Sequence, residues 1–300
     1  MYNVCVIMST YNGENYLSEQ IETIFGQKDV NVELFVRDDS SSDKTIDILE
    51  EYSKKYNLHY YSSNNLGPAL SFLEAINNCP KADYYALSDQ DDIWEDNKLI
   101  SAINMIKNED NDCPILYCSA TKLVDENGIE FGYSKRNYKN YKFLEGTTVN
   151  PTGCTVVFNN MLMNLLRIFT PPRVNMHDSW MAMLCLATSG KILYDSNSFI
   201  KYRQHTNNVM GGKKSVFASI KRRIKYLHKL KRHTFKNMLG YLIDNYKEFI
   251  EPTMFKRIIK IYNYDKNFFK YLSVVFDFKF YRGTFKEMLE RRFFILFLKY

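Results

Sequence analysis

Short apolar runs alternate with amphipathic stretches along the first hundred residues. Val4-Cys-Val-Ile-Met8 is apolar throughout and reads as a buried strand; Ser9-Thr-Tyr-Asn-Gly13 after it is a turn-forming polar cluster. Leu17, Ile21, Ile24 and Phe25 then recur at helical spacing. The cycle repeats. Val32–Val36 is a second strand, left through Arg37-Asp38-Asp39-Ser-Ser-Ser-Asp43, where Asp43 or a neighbouring serine caps a helix carrying Ile46, Leu49 and Tyr52. Leu58–Tyr61 is a third strand, and Pro68 suits the first turn of a helix running to Asn78. Tyr84–Leu87 is a fourth, with Lys98, Leu99, Ala102 and Ile106 on the helix behind it. The order β-α-β-α-β-α-β predicts an α/β fold, a mostly parallel sheet with helices on both faces. Its three polar strand exits, Ser9–Gly13, Asp38–Asp43 and Asp89–Asp92, then lie along one edge, where ligands bind in open α/β sheets.

Past residue 110 the pattern changes. Ile115–Ser119 and Lys122–Val124 read as strands and Asp125-Glu-Asn-Gly128 as a turn. Residues 130–149 are rich in Tyr and Lys with little periodicity, which predicts a long loop. Gly153–Phe158 reads as a strand followed by a helix to Ile168, Asn175–Trp180 opens an apolar helix to Thr188, and Lys191–Tyr194 is a further strand.

Charge divides the chain more sharply than hydropathy does. Residues 1–212 carry 18 Lys/Arg against 27 Asp/Glu, whereas residues 213–300 carry 22 against 7. Such a break predicts a boundary between a domain of residues 1–212 and a basic, aromatic-rich helical region of residues 213–300. Between Lys213 and Lys236 there are ten Lys/Arg and no acidic residue, with Val216, Ile220, Ile224, Leu227 and Leu230 recurring every three or four positions. A basic amphipathic helix of this kind lies on an anionic membrane surface, or packs as a solvated helix on its own domain. No nucleic-acid motif accompanies it, so nucleic acid is not an expected partner. No run reaches the ~18 apolar residues of a membrane span. The six cysteines lack paired spacing and Met1 leads straight into a strand, which predicts reduced thiols in a cytoplasmic protein without a signal peptide.

The chemistry concentrates in Ser88-Asp89-Gln90-Asp91-Asp92, directly after the fourth strand. Carboxylates that close repel unless a cation sits between them, and oxygen ligands suit Mg²⁺ or Mn²⁺, which in turn hold phosphates. An acidic turn capping the next helix is the plainer alternative. No Gly-x-Gly-x-x-Gly follows the first strand and there is no Walker lysine loop, so a dinucleotide site or P-loop lacks its cradle.

Five ordered motifs over residues 3–212 resemble glycosyltransferase family 2, the inverting nucleotide-sugar enzymes of the GT-A fold. They are Val-Ile-Met-Ser-Thr-Tyr-Asn-Gly, Asp-Asp-Ser-Ser-Ser-Asp-Lys-Thr, Ser-Asp-Gln-Asp-Asp-Ile-Trp, His-Asp-Ser-Trp and Tyr-Arg-Gln-His-Thr-Asn-Asn-Val-Met-Gly. The third and fifth look like the rhamnosyltransferase and hexosyltransferase branch of O-antigen and capsule assembly. The resemblance implies that Ser9, Thr10, Tyr11 and Asn12 line the donor pocket, with Asp39 accepting from N3 of uracil or thymine. It implies Asp91 and His205 as metal ligands for Mg²⁺ or Mn²⁺, Asp89 on sugar or ribose hydroxyls, and Arg203 (with Tyr202) on the diphosphate. Asp178 becomes the general base; capping the next helix is the alternative role for His177-Asp178, and a structural role that for His205. The implied partners are a dTDP- or UDP-sugar and a lipid-linked saccharide acceptor, reached from the inner face of the plasma membrane. A nucleotidyltransferase, or a membrane-associated scaffold without activity, remains the alternative.

Overall fold

The structure, a computed structural model, describes residues 1–109, 112–134, 151–204 and 234–275. Its first half is the expected parallel sheet. Strands β1 (Tyr2–Thr10), β2 (Val30–Asp38), β3 (Leu58–Ser62) and β4 (Tyr84–Ser88) lie in the order β3-β2-β1-β4. They alternate with helices α1 (Leu17–Phe25), α2 (Thr45–Lys55) and α3 (Pro68–Asn78), and α4 (Lys98–Lys107) follows. The run Val4–Met8 is apolar on both faces because both are covered: Cys5 and Ile7 join one core with α3, while Val4, Val6 and Met8 join a second with α1 and α4. Register sets Thr10 beside Asp38, Asp38 beside Ser62 and Met8 beside Ser88, so the polar exits end at one level.

The second half departs from the sequence reading in detail. The two strands expected at 115–119 and 122–124 are one, β6 (Ile115–Val124), long enough to carry two neighbours on one side, β7 (Glu130–Ser134) and β8 (Val157–Asn159). Gly153–Thr155 forms a 3₁₀ turn, so the strand expected from Gly153 begins only at Val157. The strand expected at Lys191–Tyr194 runs on to Arg203 as β9, parallel to β6 and capped by the two-residue β5 (Ile93–Trp94). Among the described residues all nine strands belong to one sheet.

Helices α5 (Asn160–Leu166) and α6 (His177–Ala187) cover the β4–β8–β6 part of the sheet. Three C-terminal helices, α7 (Thr234–Asn245), α8 (Pro252–Tyr262) and α9 (Phe268–Val275), come after the charge break. Their Met238, Leu239, Leu242, Ile258 and Val274 share the core that holds Trp180 and Leu184 of α6. Tyr246 closes this joint, its ring 6.0 Å from that of Trp180 and its hydroxyl donating to the Leu165 carbonyl at 3.1 Å. The basic stretch at 213–233, His205 and the aromatic tail beyond residue 275 lie outside the described residues. All six cysteines are free, and no helix among the described residues is long and apolar enough to cross a membrane.

Candidate active site

The sheet edge gathers three groups of side chains. At the β1 and β2 ends, Asp38 is a structural tie: its carboxylate accepts from Thr10 Oγ1 (3.0 Å), the Ser41 amide (2.9 Å) and Ser62 Oγ (2.8 Å), lacing three strand ends together. Asp43 accepts from the Thr45 amide, the first of α2, at 3.0 Å, and from the Glu14 amide at 3.0 Å. Asn12 adopts a left-handed backbone (φ 49°), donates its amide to Ser41 Oγ and accepts from the Ser42 amide through Oδ1. Asp39 is buried. Its Oδ1 accepts from Arg37 Nη1 (2.5 Å) and the Leu66 amide (2.8 Å), and its Oδ2 from the Gly67 amide (2.9 Å). Ser9 reaches the same group through Ser71, Oγ to Oγ 2.5 Å. Leu66, whose amide binds Asp39, and Tyr11, which follows the Thr10 carbonyl bonded to the Asp39 amide, stand exposed.

The second group is the loop after β4. Gln90 clamps it to the β1 exit, accepting from the Tyr11 amide at 2.8 Å and donating to the Tyr11 carbonyl at 3.1 Å. Gly13 makes that approach possible, since a Cβ there would lie 2.5 Å from Gln90 Oε1. Behind the loop the buried Gln20 amide sits among Ser88 Oγ (2.7 Å), Trp94 Nε1 (3.0 Å) and the Asp92 carbonyl. Asp89, Asp92 and Cys154 bring one ligand-capable atom each within 4.8 Å of one another. Burial, then the charges of Asp91 and Asp178, push the Asp89 carboxyl up to about 7. Burial, then Asp91 and Asp89, drive Asp92 further in the same direction, and its Oδ2 is buried with no hydrogen-bond partner. Such a set is stable either protonated or around a cation. Burial also holds the Cys154 thiol well above its usual range, which leaves carboxylate oxygens as the donors and fits a hard divalent ion. Lys98 does not neutralise the group: burial lowers it to about 7, and its Nζ lies 3.5 Å from the Trp94 ring centre without a hydrogen-bond partner.

Arg203 is placed differently from the role drawn from resemblance. Its guanidinium turns under the loop, with Nε donating to the Asp91 carbonyl (3.0 Å), Nη1 to the Glu126 carbonyl (2.7 Å) and Nη2 to Glu19 (2.6 Å). Its backbone amide donates to Asp92 Oδ1 at 3.3 Å. As placed, Arg203 braces the carboxylate loop from below.

The third group opens α6. Asp178 lies in its first turn, where the helix N-terminus favours negative charge, and its Oδ1 accepts from the Ser179 amide at 2.6 Å. Gly153, which packs on Asp178, precedes Cys154 of the Asp89–Asp92 group, so the α6 start lies beside the β4 exit, and the charge of Asp178 adds to the upward push on Asp89. His177 is buried against Phe72 (ring centres 4.1 Å), has no partner for either nitrogen, and is held down to about 3 by burial, a neutral packing residue. A Cβ at Gly153 would sit 2.9 Å from His177 Nε2 and 3.7 Å from Asp178 Oδ2, so the 3₁₀ turn packs directly on this pair.

The structure thus brings Asp89, Asp91, Asp92 and Asp178 together, with Ser9, Thr10, Tyr11, Asn12 and Asp39 along the same edge. Sequence reasoning missed Arg37, Ser71, Gln90 and Cys154. Of these, Arg37 carried a signal, as a basic residue ending an apolar run just before Asp38 and Asp39.

A curled, mostly parallel sheet with acidic residues at its carboxyl edge is the architecture of nucleotide-sugar transferases of the GT-A type. Residues 5–165, more than half of the chain, match glycosyl transferase family 2. The dTDP-rhamnosyl transferase RfbG of Shigella flexneri is 30% identical over 239 residues, which span 72% of this chain and 77% of that relative. The crystal structure of S. aureus TarS 1-349 in complex with UDP-GlcNAc is similar with a TM-score of 0.58 at 16% identity, covering 98% of this chain and 81% of that one. The mannosyltransferase PcManGT from Pyrobaculum calidifontis, in complex with GDP-Man and Mn²⁺, is similar with a TM-score of 0.53 at 16% identity, covering 100% and 81%. At those identities the likeness is one of fold, and it is the fold expected from the sequence. The chain belongs to glycosyl transferase family 2.

Proposed function

We propose that the protein is a metal-dependent, inverting transferase. It moves rhamnose or a hexose from a dTDP- or UDP-linked donor to a lipid-linked saccharide during assembly of a surface polysaccharide such as O-antigen or capsule. The observation that supports this reading is the placing of Asp178 against the Gly153 turn, whose next residue, Cys154, lies with Asp89 and Asp92. Asp178 takes the proton of the acceptor hydroxyl as that oxygen attacks C1 opposite the diphosphate. The Ser179 amide fixes its orientation. Asp91 would hold the cation, Mg²⁺ or Mn²⁺, with His205 its further candidate ligand; Asp89, expected on sugar or ribose hydroxyls, lies in a group with Asp92 that could add a carboxylate to it. Bound there, the ion neutralises the charge that gathers on the departing diphosphate. Ser9, Thr10, Tyr11 and Asn12 line the nucleoside pocket and Asp39 accepts from the base. The dTDP-rhamnosyl transferase relative supports a dTDP-sugar, the UDP-GlcNAc complex of TarS a UDP-sugar, and the Mn²⁺ complex of PcManGT the cation. Incubating the protein with dTDP- and UDP-sugars and either ion, with and without lipid-linked acceptor, tests the reading. Acceptor-dependent release of nucleoside diphosphate from one donor is expected; no turnover with any donor sinks it.

The acceptor reading includes attachment to the inner face of the plasma membrane, with the basic stretch at 213–236 as its cationic part. A described surface supports it: Phe268 and Phe269 are 67% and 81% exposed between Lys266 and Lys270, an apolar pair flanked by cations as interfacial segments require. The full chain is expected to sediment with anionic vesicles at low salt, to be released in part by about 0.5 M NaCl, and to ignore neutral vesicles. Phe268→Ser with Phe269→Ser should reduce the bound fraction, and unchanged sedimentation would remove this surface from the reading.

A further inference from the structure

Arg37 has no exposed surface, and the whole side chain is spent beneath the first two turns of α3. Nη1 donates to Asp39 Oδ1 (2.5 Å) and to Ser71 Oγ (3.0 Å), Nη2 to the Asn64 carbonyl (2.9 Å), and Nε lies 3.1 Å from Glu74 Oε2. A guanidinium buried at such cost has to be explained by what it holds. What it holds is one oxygen of the carboxylate assigned to the nucleobase.

An ionised carboxylate has about four acceptor positions, two on each oxygen. In Asp39 both positions on Oδ1 are filled, by Arg37 and the Leu66 amide, and one on Oδ2 is filled by the Gly67 amide. One position remains, on Oδ2. The Asp39 side chain keeps 4% of its surface exposed, and Gly67 (φ 76°) brings no side chain of its own beside it. Leu66, whose amide binds Asp39, and Tyr11, which follows the Thr10 carbonyl bonded to the Asp39 amide, are 43% and 52% exposed.

We infer that Arg37 is a specificity-determining residue that restricts the base pocket to a single imide N–H, the donor that uracil and thymine present between two carbonyls. The inference rests on the assignment of Asp39 to the base under Proposed function and names what makes that contact selective. Guanine presents a ring N–H and an exocyclic NH₂ side by side, a pair that needs both carboxylate oxygens, and Arg37 has taken one. Cytosine and adenine turn a ring lone pair toward the carboxylate, which repels it. Leaving one such polar group unpaired in a buried site lowers affinity about 10–100-fold.

The test is calorimetric titration of the full chain, with Mn²⁺ present, by UDP, dTDP, GDP, CDP and inorganic pyrophosphate. UDP and dTDP should bind within about tenfold of one another, and GDP and CDP at least ~10-fold more weakly. Arg37→Met removes the donor from Oδ1; the UDP-to-GDP ratio should fall at least ~5-fold while pyrophosphate binding stays unchanged. Arg37→Lys, which still supplies one donor to Oδ1, should restore most of the ratio. Should Arg37→Met not fold, Arg37→Met with Glu74→Gln carries the same comparison, because it leaves no second carboxylate stranded under α3. GDP binding as tight as UDP by the wild type, or an unchanged ratio in the folded Met variant, overturns the proposal. Asp39→Asn that leaves UDP affinity unchanged overturns it by a separate route, by removing the base assignment on which it rests.

Discussion

Two clusters of aspartates lie on the same sheet edge and are treated in opposite ways. Asp38 is saturated by strand-end hydroxyls and the Ser41 amide, and Asp39 is held by three donors, Arg37 and the Leu66 and Gly67 amides that lead into α3. Asp89 and Asp92 are crowded against each other and Cys154, and Asp92 Oδ2 has no partner at all. Both clusters are buried or half-buried, so exposure does not separate them. The difference lies in the donors. Hydrogen-bond donors hold the first pair in place, whereas burial and neighbouring negative charge push the second pair up, a penalty that a cation would relieve. The same residue type can therefore shape a pocket at one end of a site and wait for a ligand at the other.

The largest expected effect falls on the residue that joins the crowded cluster from α6. Asp178→Asn keeps the shape but cannot take the proton, so turnover should drop at least ~10²-fold with donor affinity by calorimetry little changed. Loss of donor binding or of folding would show instead that Asp178 is structural. Asp91→Asn should lower transfer by more than about tenfold, equivalent to ~1.4 kcal/mol, and weaken Mn²⁺-dependent nucleotide binding. Equal activity in the variant would take Asp91 out of the cation site.

Thermal melting sharpens the contrast further. Asp38→Asn strips charge from a saturated carboxylate and should cost about 1–3 kcal/mol of stability whether or not Mn²⁺ is present. Asp92→Asn removes a like charge from a crowded group; it should leave the melting temperature without Mn²⁺ unchanged or higher, and shrink the rise that Mn²⁺ produces. The reverse pattern would mean that the two clusters have been assigned the wrong way round.

A smaller effect belongs to His177. Its folded value is held down to about 3 from 6.5, so the stability it contributes is present above about 6.5 and is lost as pH falls toward 3. At pH 5 the loss is about 2 kcal/mol, from roughly 1.4 kcal/mol per unit. Denaturant melts at pH 7 and pH 5 should differ by that amount more in the wild type than in His177→Phe. An equal pH dependence in both would show that His177 is not buried neutral.

The parallel half of the fold was legible because its central strands β1 and β4 are covered on both faces and each helix on one, which leaves continuous and 3.6-periodic apolar runs in turn. The sequence reading also located Asp39, Asp89, Asp91, Asp92 and Asp178 at strand and helix ends. It failed where partners come from far along the chain. The two-residue β5 shows no period and exists through its pairing with Ile200 and Lys201. Gly153 reads as strand but opens a 3₁₀ turn that packs against the His177 ring, a contact from a distant segment. The contacts of Arg203 with Glu19 and the Glu126 carbonyl, groups from distant segments, were likewise not visible in the sequence.

The Gln90 clamp makes the two clusters thermodynamically one. It binds both backbone groups of Tyr11 from within the loop that carries Asp89 and Asp91. Whatever orders that loop therefore also restricts Tyr11, and whatever settles on Tyr11 restricts the loop. Linkage of this kind is reciprocal: the factor by which a cation tightens a nucleoside equals the factor by which the nucleoside tightens the cation. Gln90→Ala would uncouple them, so that each ligand's affinity no longer depends on the presence of the other.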